Sequence, residues 1–192
     1  MKDKNKENYR RRVERMAFHE IKPIELNENT FKLFSKDWFL MTAEKEGKVN
    51  TMTVGWGGFG VMWKKDVVFV AVRPERYTYE FLEASDTFSL TVFDNNYRKQ
   101  LGYCGVISGR DEDKIAKCGF TVVHDGETPY FEEARMSFTC RKLCTTPLKQ
   151  EDFLGNDEFS GKWYGGKNSA SGEGGGYHLI YIAEIEKILI KD

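Results

Sequence analysis

Residues 53–63 read "TVGWGGFGVMW", and the fold turns on what the glycines in this stretch are for. Gly55, Gly57 and Gly60 stand in the spacing G-x-G-x-x-G. After a strand and before a helix, that spacing marks the pyrophosphate turn of a dinucleotide-binding unit. The context downstream removes this reading. Val61-Met62-Trp63-Lys64-Lys65-Asp66 leads directly into Val67-Val68-Phe69-Val70-Ala71-Val72, an apolar run rich in β-branched residues that predicts a strand. A turn followed at once by a strand leaves no room for the helix whose N-terminus would hold a phosphate. Two uses of the glycines stay open: close approach of a ligand to the backbone, or a kinked barrel corner with core tryptophans.

Outward from this stretch the chain is strand-rich. Strands are predicted at 31–34, 38–43, 50–54, 67–73, 87–93, 131–143 and 177–190, with a hairpin at "EKEGKVN" whose Gly47 takes positive φ. Helical patterns are fewer: "RYTYEFLEAS", "NYRKQLGYCG" and "RDEDKIAKCG", the last stopped by Gly119. Long strands joined by hairpins, with short helices at the corners, predict a mainly β, antiparallel barrel, because closure removes exposed edges.

The 192 residues, 40% of them hydrophobic, suit one buried core. We expect one domain over 18–192, preceded by a basic extension over 1–17 that behaves as a solvated tail. A formal net charge of -1 provides no global field toward nucleic acid or membrane. No apolar run has membrane-spanning length and the N-terminus lacks a signal-peptide core, so a cytoplasmic location is expected. The glycine-rich stretch 165–176 predicts a mobile loop.

Four cysteines are present, Cys104, Cys118, Cys140 and Cys144, and no C-x-x-C pair suggests a metal site. On one strand Cys140 and Cys144 would share a face about 13 Å apart, too far to bridge. Buried free thiols are expected. His19, His124 and His178 are widely separated, none beside a nucleophile motif, so no catalytic acid, base or nucleophile is assigned.

Three constellations remain. Asn50, Thr51 and Thr53 with Trp56 offer polar groups and an aromatic wall suited to a flat heteroaromatic ligand. Arg73, Arg76, Tyr77 and Thr78 place two guanidiniums and hydroxyls around a helix start, the requirements of a phosphate, although pairing with Glu75 and Glu80 is the plainer alternative. Ser108 and Asp111 read as a helix cap, with Arg110 and Lys114 nearby. A stacking wall and an anion clamp without a nucleophile point to a cofactor that carries the chemistry.

These residues carry a resemblance. "NTMTVGWGGFGVMW", "VRPERYTYEFLEASDTFSL", "YRKQLGYCGVISGRDEDKIAKCGFT", "YFEEARMSFTCRKL" and "GGYHLIYIAEI" together resemble the flavin reductase-like family, in its flavoredoxin-like branch of FMN-binding split barrels. The resemblance implies an antiparallel split β-barrel with a few short peripheral helices, forming a homodimer with non-covalent FMN. Asn50, Thr51, Thr53 and Trp56 would line the flavin and ribityl chain, and Arg73, Arg76, Tyr77 and Thr78 the phosphate or ribityl end. Ser108, Arg110 and Lys114 would close the pocket. It further implies electron flow from NADH or NADPH through FMN to a flavin or another small-molecule or protein acceptor, or alternatively an electron carrier without nicotinamide turnover. Two departures stand out: Asp66 where family members commonly have proline, and the glycine-rich stretch before Tyr177.

Overall fold

The structure, a computed structural model, describes residues 18–155, 157–165 and 176–192. The basic extension and most of the glycine-rich stretch lie outside these residues. Ten strands are present: β1 Phe18–Ile21, β2 Phe39–Lys45, β3 Lys48–Val54, β4 Gly57–Met62, β5 Lys65–Val72, β6 Thr87–Val92, β7 Val122–Asp125, β8 Thr128–Phe131, β9 Met136–Pro147 and β10 Leu179–Lys191. The labelled helices are α1 Tyr77–Ala84, α2 Arg98–Val106, α3 Lys114–Cys118 and α4 Asp157–Tyr164.

The main sheet is antiparallel, in the order β3-β2-β6-β9-β10-β5-β4, with β1 added to β10. Its two ends, β3 and β4, are joined in sequence by Gly55 and Trp56 alone, yet they are not hydrogen-bonded neighbours. The stretch 53–63 therefore crosses the slit of a split barrel. Inside, the sheet wraps Phe39, Met41, Met52, Val68, Val70, Phe88, Leu90, Phe138 and Tyr181. Each such fully buried apolar side chain contributes about 1.5–3 kcal/mol. Strand β6 is buried on both faces. Phe88 and Leu90 face the core, while Ser89 donates to the Pro129 carbonyl (2.6 Å) and Thr128 to Thr87 (2.7 Å) beneath the small β7–β8 sheet.

The glycines at the slit serve packing. None of Gly55, Gly57 and Gly60 has positive φ. A Cβ on Gly57 would stand 2.1 Å from the Phe69 carbonyl oxygen and 2.7 Å from the Phe34 ring. Only glycine lets β4 lie this close to both.

Several expectations are corrected. Residues 31–34 are not a strand: Asn29 caps a helical turn, Thr30–Lys32, that runs into a π-helical turn, Leu33–Asp37. Apolar Phe31, Leu33 and Phe34 are as compatible with a turn packed on the sheet as with a strand. The run 131–143 is not one strand: Phe131 ends β8, a turn follows in which the Ala134 N–H bonds to the Phe131 carbonyl, and β9 starts at Met136 and continues past 143 to Pro147. Strands β1, β4 and β7 carry too little alternation to be predicted. The start of α3 is capped by Asp113, whose carboxylate accepts from the Ala116 N–H, and not by a Ser108–Asp111 box. Ser108 instead accepts from the Arg110 N–H within the preceding loop. Cys140 and Cys144 do not share a face. A bulge at Leu143 breaks the β9–β10 register, leaving Cys140 buried and Cys144 exposed. Gly47 (φ 75°) and Gly119 (φ 70°) hold the left-handed positions expected of them. No helix among the described residues is long and apolar enough to cross a membrane.

Two predictions follow from the slit. The β4–β5 turn is made by Trp63 and Lys64 at φ 52° and 60°, a conformation that costs a side-chain-bearing residue on the order of 1 kcal/mol. Lys64→Gly should therefore raise the urea midpoint by about 1 kcal/mol equivalent at unchanged slope. Gly57→Ala should lower stability by about 2 kcal/mol or more, because the clash is with a backbone carbonyl; a neutral result would show that β4 is free to move.

Candidate functional site

The crevice over the slit begins with β3, whose sequence changes along its length from polar to small. At its Lys48 end, Asn50 is buried, donates to the Thr78 hydroxyl (2.9 Å) and leaves its carbonyl oxygen against Gly109. A Cβ on Gly109 would stand 2.2 Å from that oxygen, so a larger residue here would displace the Asn50 side chain. At the other end Thr53, Gly55 and Trp56 border two clefts. One, of about 600 Å³, is walled by Phe34, Trp38, Leu101, Gly102 and Gly105, and the other, of about 230 Å³, by Val72, Arg73, Arg76 and His178. A third, of about 340 Å³, runs past Lys48, Asn50, Gly109 and Lys114. The first two meet at Thr53, Gly55 and Trp56 and form a groove with an aromatic end at Phe34 and Trp38 and a cationic end at Arg73 and Arg76, and the third, which also holds Glu112 and Asp113, borders the opposite end of β3.

The cationic end is built around the start of α1. Arg76 occupies the N-cap position and makes no side-chain capping bond, so the first-turn N–H groups meet no capping side chain. Its guanidinium donates through Nη2 to the Gly105 carbonyl (2.7 Å), and burial lowers its pKa, the mark of a cation held away from water. No carboxylate pairs with Arg76 among the described residues. Arg73 donates to the Trp163 carbonyl (2.8 Å) and lies 5.4 Å from the Tyr164 ring centre. Tyr77, the first residue of α1, stands between two cations. Lys48 donates to its hydroxyl (3.3 Å), and Arg110 covers its ring at 4.7 Å.

Not every predicted residue faces the groove. Thr51 is fully buried and spends its hydroxyl inside the sheet, on the Met41 carbonyl (3.0 Å) and the Thr42 hydroxyl (2.9 Å). Thr53 reaches the crevice but donates to the Leu101 carbonyl (2.5 Å), fastening α2 to β3. Thr78 is buried under Asn50. Arg110 is held by Glu80 (2.5 Å) and the Glu75 carbonyl (3.3 Å), so the carboxylate of Glu80 pairs with Arg110 and not with Arg73 or Arg76, where the sequence left that pairing open. Lys114 is only 2% exposed and donates to the Cys104 and Ile107 carbonyls (both 3.0 Å) at the end of α2. Burial pushes its pKa down to about 8. The structure thus brings Thr53, Trp56, Arg73 and Arg76 to adjoining clefts and Asn50 and Lys114 to a third, while Thr51 and Thr78 are buried.

Where the two clefts meet lies a residue to which the sequence assigns no role in the site. His178 lies 4.9 Å from the Trp56 ring, and its Nδ1 is hydrogen-bonded to the Tyr164 hydroxyl (2.9 Å). Burial, aided by the charge of Arg73, pushes the imidazole down to about 4, so it is neutral near pH 7. Trp163 meets Trp56 edge-on at 4.9 Å. Phe34, Trp38, Leu101 and Gly105 were also missed. They come from helical segments whose only sequence signal is apolar periodicity, which does not distinguish a groove wall from core.

Comparisons with known proteins agree with this geometry. Residues 31–192 match the family model described as flavin reductase like domain. Flavoredoxin from Methanosarcina acetivorans superposes with a TM-score of 0.59 at 22% identity, covering 88% of this chain and 75% of that one. An FMN-binding domain of a flavin reductases-like enzyme from Shewanella baltica gives a TM-score of 0.62 at 16% identity, covering 91% and 78%. An uncharacterised protein of Aeropyrum pernix is 29% identical over 85 residues, 44% of this chain and 32% of its own length, so the chain matches about a third of that relative.

The buried imidazole generates a pH prediction. Its folded-state pKa of about 4 lies below the ordinary 6.5, so the unfolded chain binds the proton more readily. Its stabilising share is therefore complete above pH 6.5 and is lost progressively as pH falls toward 4. His178→Asn should flatten the melting-temperature profile across that window, and an unchanged slope would show that other groups cause the acid loss.

Proposed function

The chain belongs to the flavin reductase like domain family, and from that premise we propose that the groove binds FMN and that the protein is an electron-transferring flavoprotein. The observation that carries this reading is the half-buried Arg76, engaged by one carbonyl and no carboxylate, beside an uncapped helix start. Such a constellation suits a group carrying close to two negative charges. The residues present fit the cofactor. Arg76, the first N–H groups of α1 and the Ser108–Arg110 loop would hold the phosphate, with Lys48 and Tyr77 beside them. Asn50 and Thr53 would meet the ribityl chain, and Trp56, Trp38 and Phe34 would wall the ring system.

When bound, FMN supplies reversible transfer of a hydride or of single electrons, which no side chain here supplies. The protein's share is orientation and exclusion of water. Phe34 and Trp38 wall one side of the groove, and His178, neutral near pH 7, adds no charge beside Trp56. We propose NADH or NADPH as electron donor and a flavin or another small molecule or protein as acceptor. The exposed apolar end of β4 and the turn after it, with Val61 74% and Trp63 57% accessible, support a homodimer. The alternative is an electron carrier that binds FMN without nicotinamide turnover.

Titration of the purified protein with FMN, followed by absorption, tests the reading. The expected result is saturable binding with a shifted flavin spectrum, weakened by roughly 1–3 kcal/mol in Arg76→Ala while the melting temperature without FMN is little changed. Anaerobic NADH or NADPH should then bleach the bound flavin. Binding without bleaching selects the carrier, and absence of binding overturns both.

A further inference from the structure

Below the groove floor two thiols meet that nothing in the proposed electron transfer uses. Cys104, on α2, is fully buried, and Cys118, the last residue of α3, is partly buried. Their sulfurs are 3.7 Å apart. The sequence gives no sign of this, since the two are far outside any C-x-x-C spacing. The pairing is made by the fold. Leu101 and Cys104 face the apolar cluster of Leu40, Phe93, Phe120 and Phe131, and α3 folds back over the same cluster with Ile115 and Cys118 against it. The turn that returns the chain is fixed at both ends, by the Asp113 cap and by Gly119 in the left-handed conformation.

We propose that Cys104 and Cys118 are a redox-active dithiol, oxidised by a hydroperoxide to an intrachain disulfide that clamps α2 to α3. A disulfide bond is ~2.05 Å long, so the sulfurs need to close by less than ~2 Å. The roles follow from the surroundings. Burial raises both thiols, Cys104 to about 12. The hydrogen bond between them favours the thiolate on Cys118 at the expense of Cys104, and the Lys114 ammonium attracts both. Cys118 is also the more accessible, so it is the attacking sulfur.

Its thiolate attacks one peroxide oxygen and breaks the O–O bond, giving a Cys118 sulfenic acid and a hydroxide that takes up a proton as water. The Cys104 sulfur then gives up its proton and displaces the sulfenic hydroxyl, which leaves as a second water. Two thiols lose two electrons and two protons, and the peroxide gains them. Because Lys114 donates to the Cys104 carbonyl and Arg76 to that of Gly105, the new bond restrains the same α2 end that carries the cationic side of the groove.

The test uses the full chain without added FMN, so that it stands apart from the flavin reading. Hydrogen peroxide is applied, thiols are counted under denaturing conditions, and peptides are mapped by mass. The expected result is loss of two of the four thiols to a link between the Cys104 and Cys118 peptides, two hydrogens lighter and reversed by dithiothreitol. A rise in melting temperature of about 5–10 °C should accompany it. Cys118→Ser should leave Cys104 reduced, and Cys104→Ala should let Cys118 stop at the sulfenic acid. Cys118 is partly exposed, so its variant is informative even where the buried Cys104 substitution impairs folding. The proposal is overturned when peroxide modifies exposed Cys144 while Cys104 and Cys118 stay titratable, or when the two oxidise singly without a linked peptide.

Discussion

The structure depends on the close passage of β4 across the barrel mouth at Gly57. The glycine lies where any Cβ would meet the Phe69 carbonyl at 2.1 Å. This passage lets β4 pair with β5 while β3 pairs with β2, so that the chain changes edges through two residues and the barrel stays split. Phe34 and Trp38, delivered by the π-helical turn, fill the space beside that crossing, and Gly55 lies 3.1 Å from each by its would-be Cβ. Trp38 itself takes φ 65° and ψ 164°, sparsely populated values that only a well-packed surrounding sustains. The guanidinium of Arg98 rests 3.1 Å above its ring and holds it there.

Around this slit the charge distribution is uneven. Ion pairs elsewhere are ordinary surface contacts, such as Arg141–Glu186 (2.5 Å) and Lys65–Glu184 (2.6 Å), each worth little in solvent. At the groove, Arg76 and Lys114 bond backbone carbonyls in place of carboxylates, and burial lowers both pKa values. Holding two cations partly desolvated, with no acidic partner among the described residues, costs stability at that point. An anionic ligand would restore it.

Where the two clefts meet, beside Arg73, the lining is aromatic. Trp56, Trp163, Tyr164 and His178 pack edge-to-face or tilted, and the Tyr164 hydroxyl fixes the imidazole ring. The carbonyl of Trp163 accepts from Arg73, so α4 is tied to both halves of the site. Polarity thus grades along one strand, β3, from Lys48 and Asn50 at one end to Trp56 just past the other.

By itself the sequence determined the local terms: β-branched runs made strands, Gly47 and Gly119 marked left-handed turns, and "RPERYT" set arginines at a helix start. Those depend on neighbours a few residues away, and periodicity and φ preference read them directly. Only the tertiary structure decided which polar side chains face the groove. Thr51 and Thr53 look alike in "NTMT", yet the first bonds inward to Met41 and Thr42 and the second holds α2. Residues 31–34 are helical and not a strand: Phe31 and Lys32 lie in the Asn29-capped turn, and Leu33 and Phe34 begin the π-helical turn that sets Phe34 against Gly55 and Gly57. His178 lost its charge, and Cys104 met Cys118, through burial and chain reversal, contacts between distant segments for which no local pattern exists.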